Sequence, residues 1–73
     1  MNVILYTTAG CHLCNEALEM VKTVAPDLPV EQVDIAEDDE LVGQYGERIP
    51  VLAYRGEELG WPFSVLDVQR LIG

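Results

Sequence analysis

The stretch AGCHLCNEA places Cys11 and Cys14 three positions apart, with His12 and Leu13 between them, and these are the only cysteines in the chain. Two thiols at this spacing can exchange with a disulfide, contribute to a metal or cluster site, or fill space. On a helix, residues three apart lie on the same side, so the two sulfurs can meet without unwinding the chain. If a helix opens at Cys11, its first backbone N–H groups lack intrahelical partners and its macrodipole favours negative charge. A thiolate there is stabilised, and a Cys-x-x-Cys pair so placed titrates below the free value of about 8.5. An exposed Cys11 would attack a disulfide, and a more buried Cys14 would attack the resulting mixed disulfide.

Other uses make other demands. Haem attachment requires His directly after the second cysteine, where this chain has Asn15. A closed structural zinc site needs four ligands. Two Cys and one His would need a carboxylate or a second chain to complete one. An iron–sulfur cluster shared between two chains stays open, as does a pair of inert buried thiols. His12, if charged, would support the Cys11 thiolate; as an exposed loop residue it would do little. The net charge of −9 opposes thiolate formation, but distant surface charges are screened beyond about 10 Å at ordinary salt, so the helix end is expected to prevail.

The elements that would position the pair follow from hydrophobic periodicity. Val3-Ile4-Leu5-Tyr6 is an apolar run without polar alternation and predicts a strand buried on both faces. Thr7 to Gly10 form a loop. From Cys11 onward Ala17, Leu18, Val21, Val24 and Ala25 recur at helical spacing, and Pro26 and Pro29 mark the end of that helix and the turn beyond it. Val30 to Ile35 predicts a second strand. The acidic run Glu37-Asp38-Asp39-Glu40 suits the positive end of a short helix carrying Leu41, Val42 and Tyr45, with Gly46 as its stop. Val51 to Tyr54 reads as a third strand, Arg55-Gly56-Glu57 as a turn and Glu58 to Gly60 as a fourth strand. A last helix opens at Ser64, with Asp67 completing a capping box, Phe63 and Val68 a hydrophobic staple, and Val65, Leu66, Val68, Leu71 and Ile72 its apolar side. The predicted fold is α/β, a four-stranded mixed sheet with helices on both faces. The first strand–helix–strand unit is parallel and the last two strands are antiparallel.

With 73 residues, one domain over residues 1–73 is expected, and 49% apolar residues supply one core. Thirteen acidic residues against four basic ones repel phosphate backbones and anionic membranes, so neither nucleic acid nor membrane is an expected partner. A partner with a basic patch would be steered toward the chain, although the charge can equally serve solubility alone. The start, Met1 to Tyr6, lacks the basic and apolar stretches of a signal peptide, and no apolar run approaches the ~20 residues that cross a bilayer. A cytoplasmic monomer is expected, and in that compartment a close cysteine pair is more often catalytic or metal-binding than a structural staple.

ILYTTAGCHLCNEA resembles the start of a glutaredoxin, and ERIPVLAYRGEEL resembles the family's later segment, in which a cis-proline opens the third strand. The likeness spans essentially the whole chain. It is nearest to the small glutaredoxin-like proteins, in which a CHLC-type pair and an IPVL…G…L…WPF segment recur. The resemblance implies a thioredoxin-like, glutaredoxin-sized three-layer fold and thiol–disulfide exchange on a disulfide-bearing protein or small thiol substrate. It implies no resident cofactor beyond the redox-active disulfide, with glutathione as a candidate co-substrate. Cys11 matches the nucleophile and Cys14 the resolving thiol. Pro50 matches the cis-proline facing the pair, and Ile49 the residue whose backbone N–H and C=O pair with an extended substrate. Departures concern the groove. His12 and Leu13 replace the usual proline and aromatic, Arg48 replaces a threonine, and Trp61 follows Gly60 where a second glycine would grip glutathione's glutamyl end. The Trp61 ring either lines the groove or covers the end of the core beside Phe63. Glutathione specificity does not follow. A non-catalytic iron–sulfur, metal-binding or redox-sensing adaptor is the alternative function.

Overall fold

The computed structural model describes residues 2–73; Met1, part of the N-terminal stretch read above, lies outside them. The elements run β1 (Val3–Thr7), α1 (His12–Val24), β2 (Val30–Asp34), a 3-10 turn (Ile35–Glu37), α2 (Asp39–Tyr45), β3 (Val51–Tyr54), β4 (Glu57–Gly60) and α3 (Val65–Ile72). The sheet order is β2-β1-β3-β4. β1 pairs parallel with β2, and β3 pairs antiparallel with both β1 and β4. The element order, the parallel β1–β2 pair and the antiparallel β3–β4 pair are those predicted; the sheet order and the β1–β3 pair come from the structure. The differences are Ile35, which leaves β2 to start the 3-10 turn, and Glu57, which joins β4. The β3–β4 turn is therefore only Arg55-Gly56, both with positive φ (52° and 81°). Two left-handed central residues match the right-handed twist of the flanking strands, and Gly56 adopts this at no steric cost.

Alternation along the strands divides the interior in two. Val3 and Leu5 of β1 and Leu52 and Tyr54 of β3 pack with Ala17 and Val21 of α1 and Val68 of α3. On the other face Val51 packs with Ile35 and with Tyr45 of α2, joined by Tyr6, Leu41 and Ile49. Helices thus cover both faces, but unequally. The short α2 covers the Tyr6 end of β1 and leaves Ile4 half-buried, so β1 is not fully buried on both sides as its apolar run suggests.

The caps are local and strong. Ser64 Oγ accepts the Asp67 N–H at 3.3 Å, and Asp67 Oδ2 accepts the Ser64 N–H at 2.9 Å, so aspartate closes the box despite its shorter reach. Asp38 caps α2 by accepting the Glu40 N–H at 2.9 Å. On α3 the apolar side is narrower than predicted: Leu66 is 66% exposed, two residues and therefore about 200° from buried Val68. Gly46 ends α2 with helical angles (φ −51°, ψ −34°) rather than in the left-handed region.

Candidate active site

A tight turn delivers Cys11 to the start of α1. The Cys11 N–H donates to the Thr8 carbonyl at 3.2 Å, and Gly10 between them has φ 78°, a value that glycine takes freely. Cys11 is the N-cap of α1, and the Cys14 N–H donates to its Sγ at 3.1 Å. This is the interaction a capping serine or aspartate oxygen would make, here made to sulfur.

Cys14 falls on the stripe Cys14, Ala17, Val21 that α1 turns to the core, and it is 3% exposed. Cys11, outside the helical repeat, is half-buried. The two are joined as a disulfide with Cα atoms 5.3 Å apart. His12 and Leu13 are exposed, Leu13 by 42%, which sets an imidazole and an apolar side chain on the surface beside the sulfurs.

Beside Cys11 lies an open groove of about 590 Å³, lined on its far side by Thr7, Thr8, Asn15, Gln32 and Asp34. Thr7 and Asp34 are register partners at the carboxyl ends of parallel strands β1 and β2. That end of a parallel pair is where open α/β sheets present ligand crevices. The sequence reading did not select Asp34. Its place near the carboxyl end of a strand predicted to pair with β1 was the available signal.

The second predicted segment reaches the same end of the sheet. Tyr6 pairs with Val51, so one further antiparallel step sets Pro50 beside Thr7. Pro50 is buried, and its bond to Ile49 is cis. The carbonyl of Tyr45 accepts from both Arg48 N–H (2.7 Å) and Ile49 N–H (3.1 Å), continuing the winding of α2. The Ile49 N–H expected to meet substrate is therefore already engaged. Arg48 turns away along the surface, its guanidinium 5.7 Å from the Tyr45 ring centroid and 3.9 Å from Glu58. The Tyr45 ring stacks on Tyr6 with centroids 4.3 Å apart, and its hydroxyl donates to Glu58. That bond, with burial second, pushes the Tyr45 phenol well above its usual titration range. Nothing in the spacing of Tyr6, Tyr45 and Glu58 announced this cluster.

Trp61 packs against the main core and meets Phe63 edge-on, with centroids 5.0 Å apart and planes at 75°. The backbone N–H of Trp61 donates to the Pro50 carbonyl at 3.1 Å, which extends the β3–β4 ladder. Trp61, Ile49 and Pro50 all lie outside the lining of the groove on the Thr7–Asp34 side of Cys11. The packing against Phe63 is the contact that the core-cover reading expects.

Residues 2–73 match the family model of the glutaredoxin-like domain (DUF836). The chain belongs to the glutaredoxin-like family. The X-ray structure of the Northeast Structural Genomics target protein XcR50 from X. campestris is similar, with 36% identity over 93% of this chain and 91% of that one and a TM-score of 0.81. The solution structure of XcR50 gives 37% identity over 96% and 90%, with a TM-score of 0.80. No curated protein matches the chain. This glutaredoxin-like domain has the thioredoxin-like architecture, and its Cys11–Cys14 pair fits a Cys-x-x-Cys redox module.

Proposed function

We propose that the domain is a thiol–disulfide oxidoreductase in which Cys11 attacks and Cys14 resolves. The observation that carries this is the difference in burial across one helical turn. Cys11 stands at the mouth of α1 beside an open groove, and Cys14 lies behind it on the core stripe. The reduced Cys11 thiolate attacks one sulfur of a substrate disulfide, and the other sulfur leaves as a thiolate that takes a proton from water. Cys14, having lost its proton to solvent, then attacks Cys11 Sγ and releases the second substrate thiol. The substrate gains two electrons, and the domain is left with the Cys11–Cys14 disulfide. Pro50 and Ile49 border the exchange at the end of β1. An incoming extended chain would use the Ile49 carbonyl, because its N–H serves Tyr45.

Among the described residues no three His, Cys, Asp or Glu side chains converge as a metal site. The cluster-carrier alternative would therefore draw ligands from a second chain or from glutathione. Disulfide-reduction turnover, with glutathione and a thioredoxin-reductase system supplied separately, tests the proposal. Turnover with either reductant supports exchange. Absence of turnover with both, together with a visible absorption band after anaerobic reconstitution with iron and sulfide, would replace it with the cluster reading.

A further inference from the structure

Resting on that exchange reading, we propose that the pair acts on polypeptide disulfides flanked by lysine or arginine, whose cationic flank lies in the groove beside Cys11, and that anionic disulfides such as glutathione's are poor substrates. A substrate held through Cys11 must lay its chain on the surface around that sulfur. On the groove side it meets the neutral oxygens and amides of Thr7, Thr8, Asn15 and Gln32, the imidazole of His12, and the carboxylate of Asp34. No lysine or arginine lines that groove.

The chain has four such cations, Lys22, Arg48, Arg55 and Arg70, and none of them lines it. Lys22 lies in the last turn of α1, roughly 16 Å along the helix from Cys11 and beyond a Debye length at physiological salt. Arg70 lies in the last turn of α3. Arg55 is in the β3–β4 turn, at the opposite end of β3 from Pro50, with its guanidinium 5.1 Å from the Tyr54 ring centroid. Arg48 is paired with Glu58. The chain leaving Asp34 continues through exposed Glu37, Asp38, Asp39 and Glu40, which extends the negative field from the groove. Each half of glutathione disulfide brings two carboxylates and one ammonium, and no lysine or arginine of the groove answers the carboxylates. A lysine-flanked disulfide meets a complementary surface and is steered to it; such steering raises association rates about 10- to 1,000-fold at low salt.

The test is single turnover with pre-reduced protein, so that the dithiol itself supplies the electrons. Two short peptide disulfides are compared, identical except for lysine or glutamate two residues from the cysteine. Each rate is divided by that peptide's rate with dithiothreitol, which removes differences in intrinsic reactivity. The expected lysine-to-glutamate ratio is about ten at low salt and falls toward one at 0.5 M. Asp34→Asn, which keeps a capping oxygen for Ala36, is expected to cut the ratio by half or more. Glu57→Gln changes net charge equally on the far strand β4 and is expected to cut it less. A low-salt ratio of one or below would overturn the proposal, as would equal effects of Asp34→Asn and Glu57→Gln. Equal oxidation of the dithiol by both peptides would overturn the charge preference alone. Failure of both peptides to oxidise it would overturn the exchange reading as well.

Discussion

The backbone N–H of Cys14 points at the sulfur of Cys11, 3.1 Å away. With the disulfide reduced, the same N–H group and the rest of the first turn of α1 face Cys11 Sγ, and they favour its thiolate. Cys11 of the reduced protein is accordingly expected to react with iodoacetamide at pH 7 several-fold faster than free cysteine. The exposed His12 separates two sources of this activation: His12→Ala should leave most of the rate if the helix start is responsible. A rate no greater than that of free cysteine would remove the activated nucleophile.

The proposed roles of the two sulfurs rest on their different burial. Cys14→Ser should accumulate one adduct with 2-hydroxyethyl disulfide, a neutral substrate, and Cys11→Ser should accumulate almost none, because Cys14 is only 3% exposed. Intact-mass measurement reads both. An adduct confined to the Cys11→Ser protein would reverse the roles.

Tyr45 makes stability fall in alkali. Its phenol donates to the Glu58 carboxylate, and this bond and burial raise its titration above the ordinary value of about 10. The folded state thus holds the phenolic proton more tightly than the unfolded chain does. That contribution is fully present below pH 10 and is lost as pH rises past it, where the unfolded chain gives up the proton first. The urea midpoint should decline above pH 10, and Tyr45→Phe should decline less steeply from a lower starting stability. Parallel curves for the two proteins would show that this bond does not set the slope.

Trp61 packs against the core beside Phe63. Trp61→Gly should lower unfolding free energy by roughly 2–4 kcal/mol, the range for removing a large packed side chain, without speeding exchange with glutathione disulfide. A folded, stable variant that uses glutathione better would restore the groove wall.

Much of this arrangement is legible along the chain because its causes are short-range. The Cys11–Cys14 spacing, the glycine turn before it, the helical stripe of Ala17 and Val21 and the Ser64–Asp67 box all act within one or two turns. Their residue types therefore announce them. The succession of strands and helices followed from the same periodicities, and the antiparallel last pair from the turn at Arg55-Gly56.

Relations across the sheet were decided only in three dimensions. Asp34 enters the site because β2 pairs with β1 in a register that sets it against Thr7. Ile49 loses its free N–H because α2 keeps winding past Gly46, and Tyr45 gains a partner because β4 brings Glu58 beneath it. Trp61 packs on the core because the chain after β4 turns toward Phe63 and α3. Each of these contacts joins residues on different elements or depends on where a helix stops. One residue of slip in register, or one turn more of α2, would change them without altering any local pattern. The sequence by itself therefore determined the cysteine pair and the elements that carry it, while packing decided what surrounds the sulfurs.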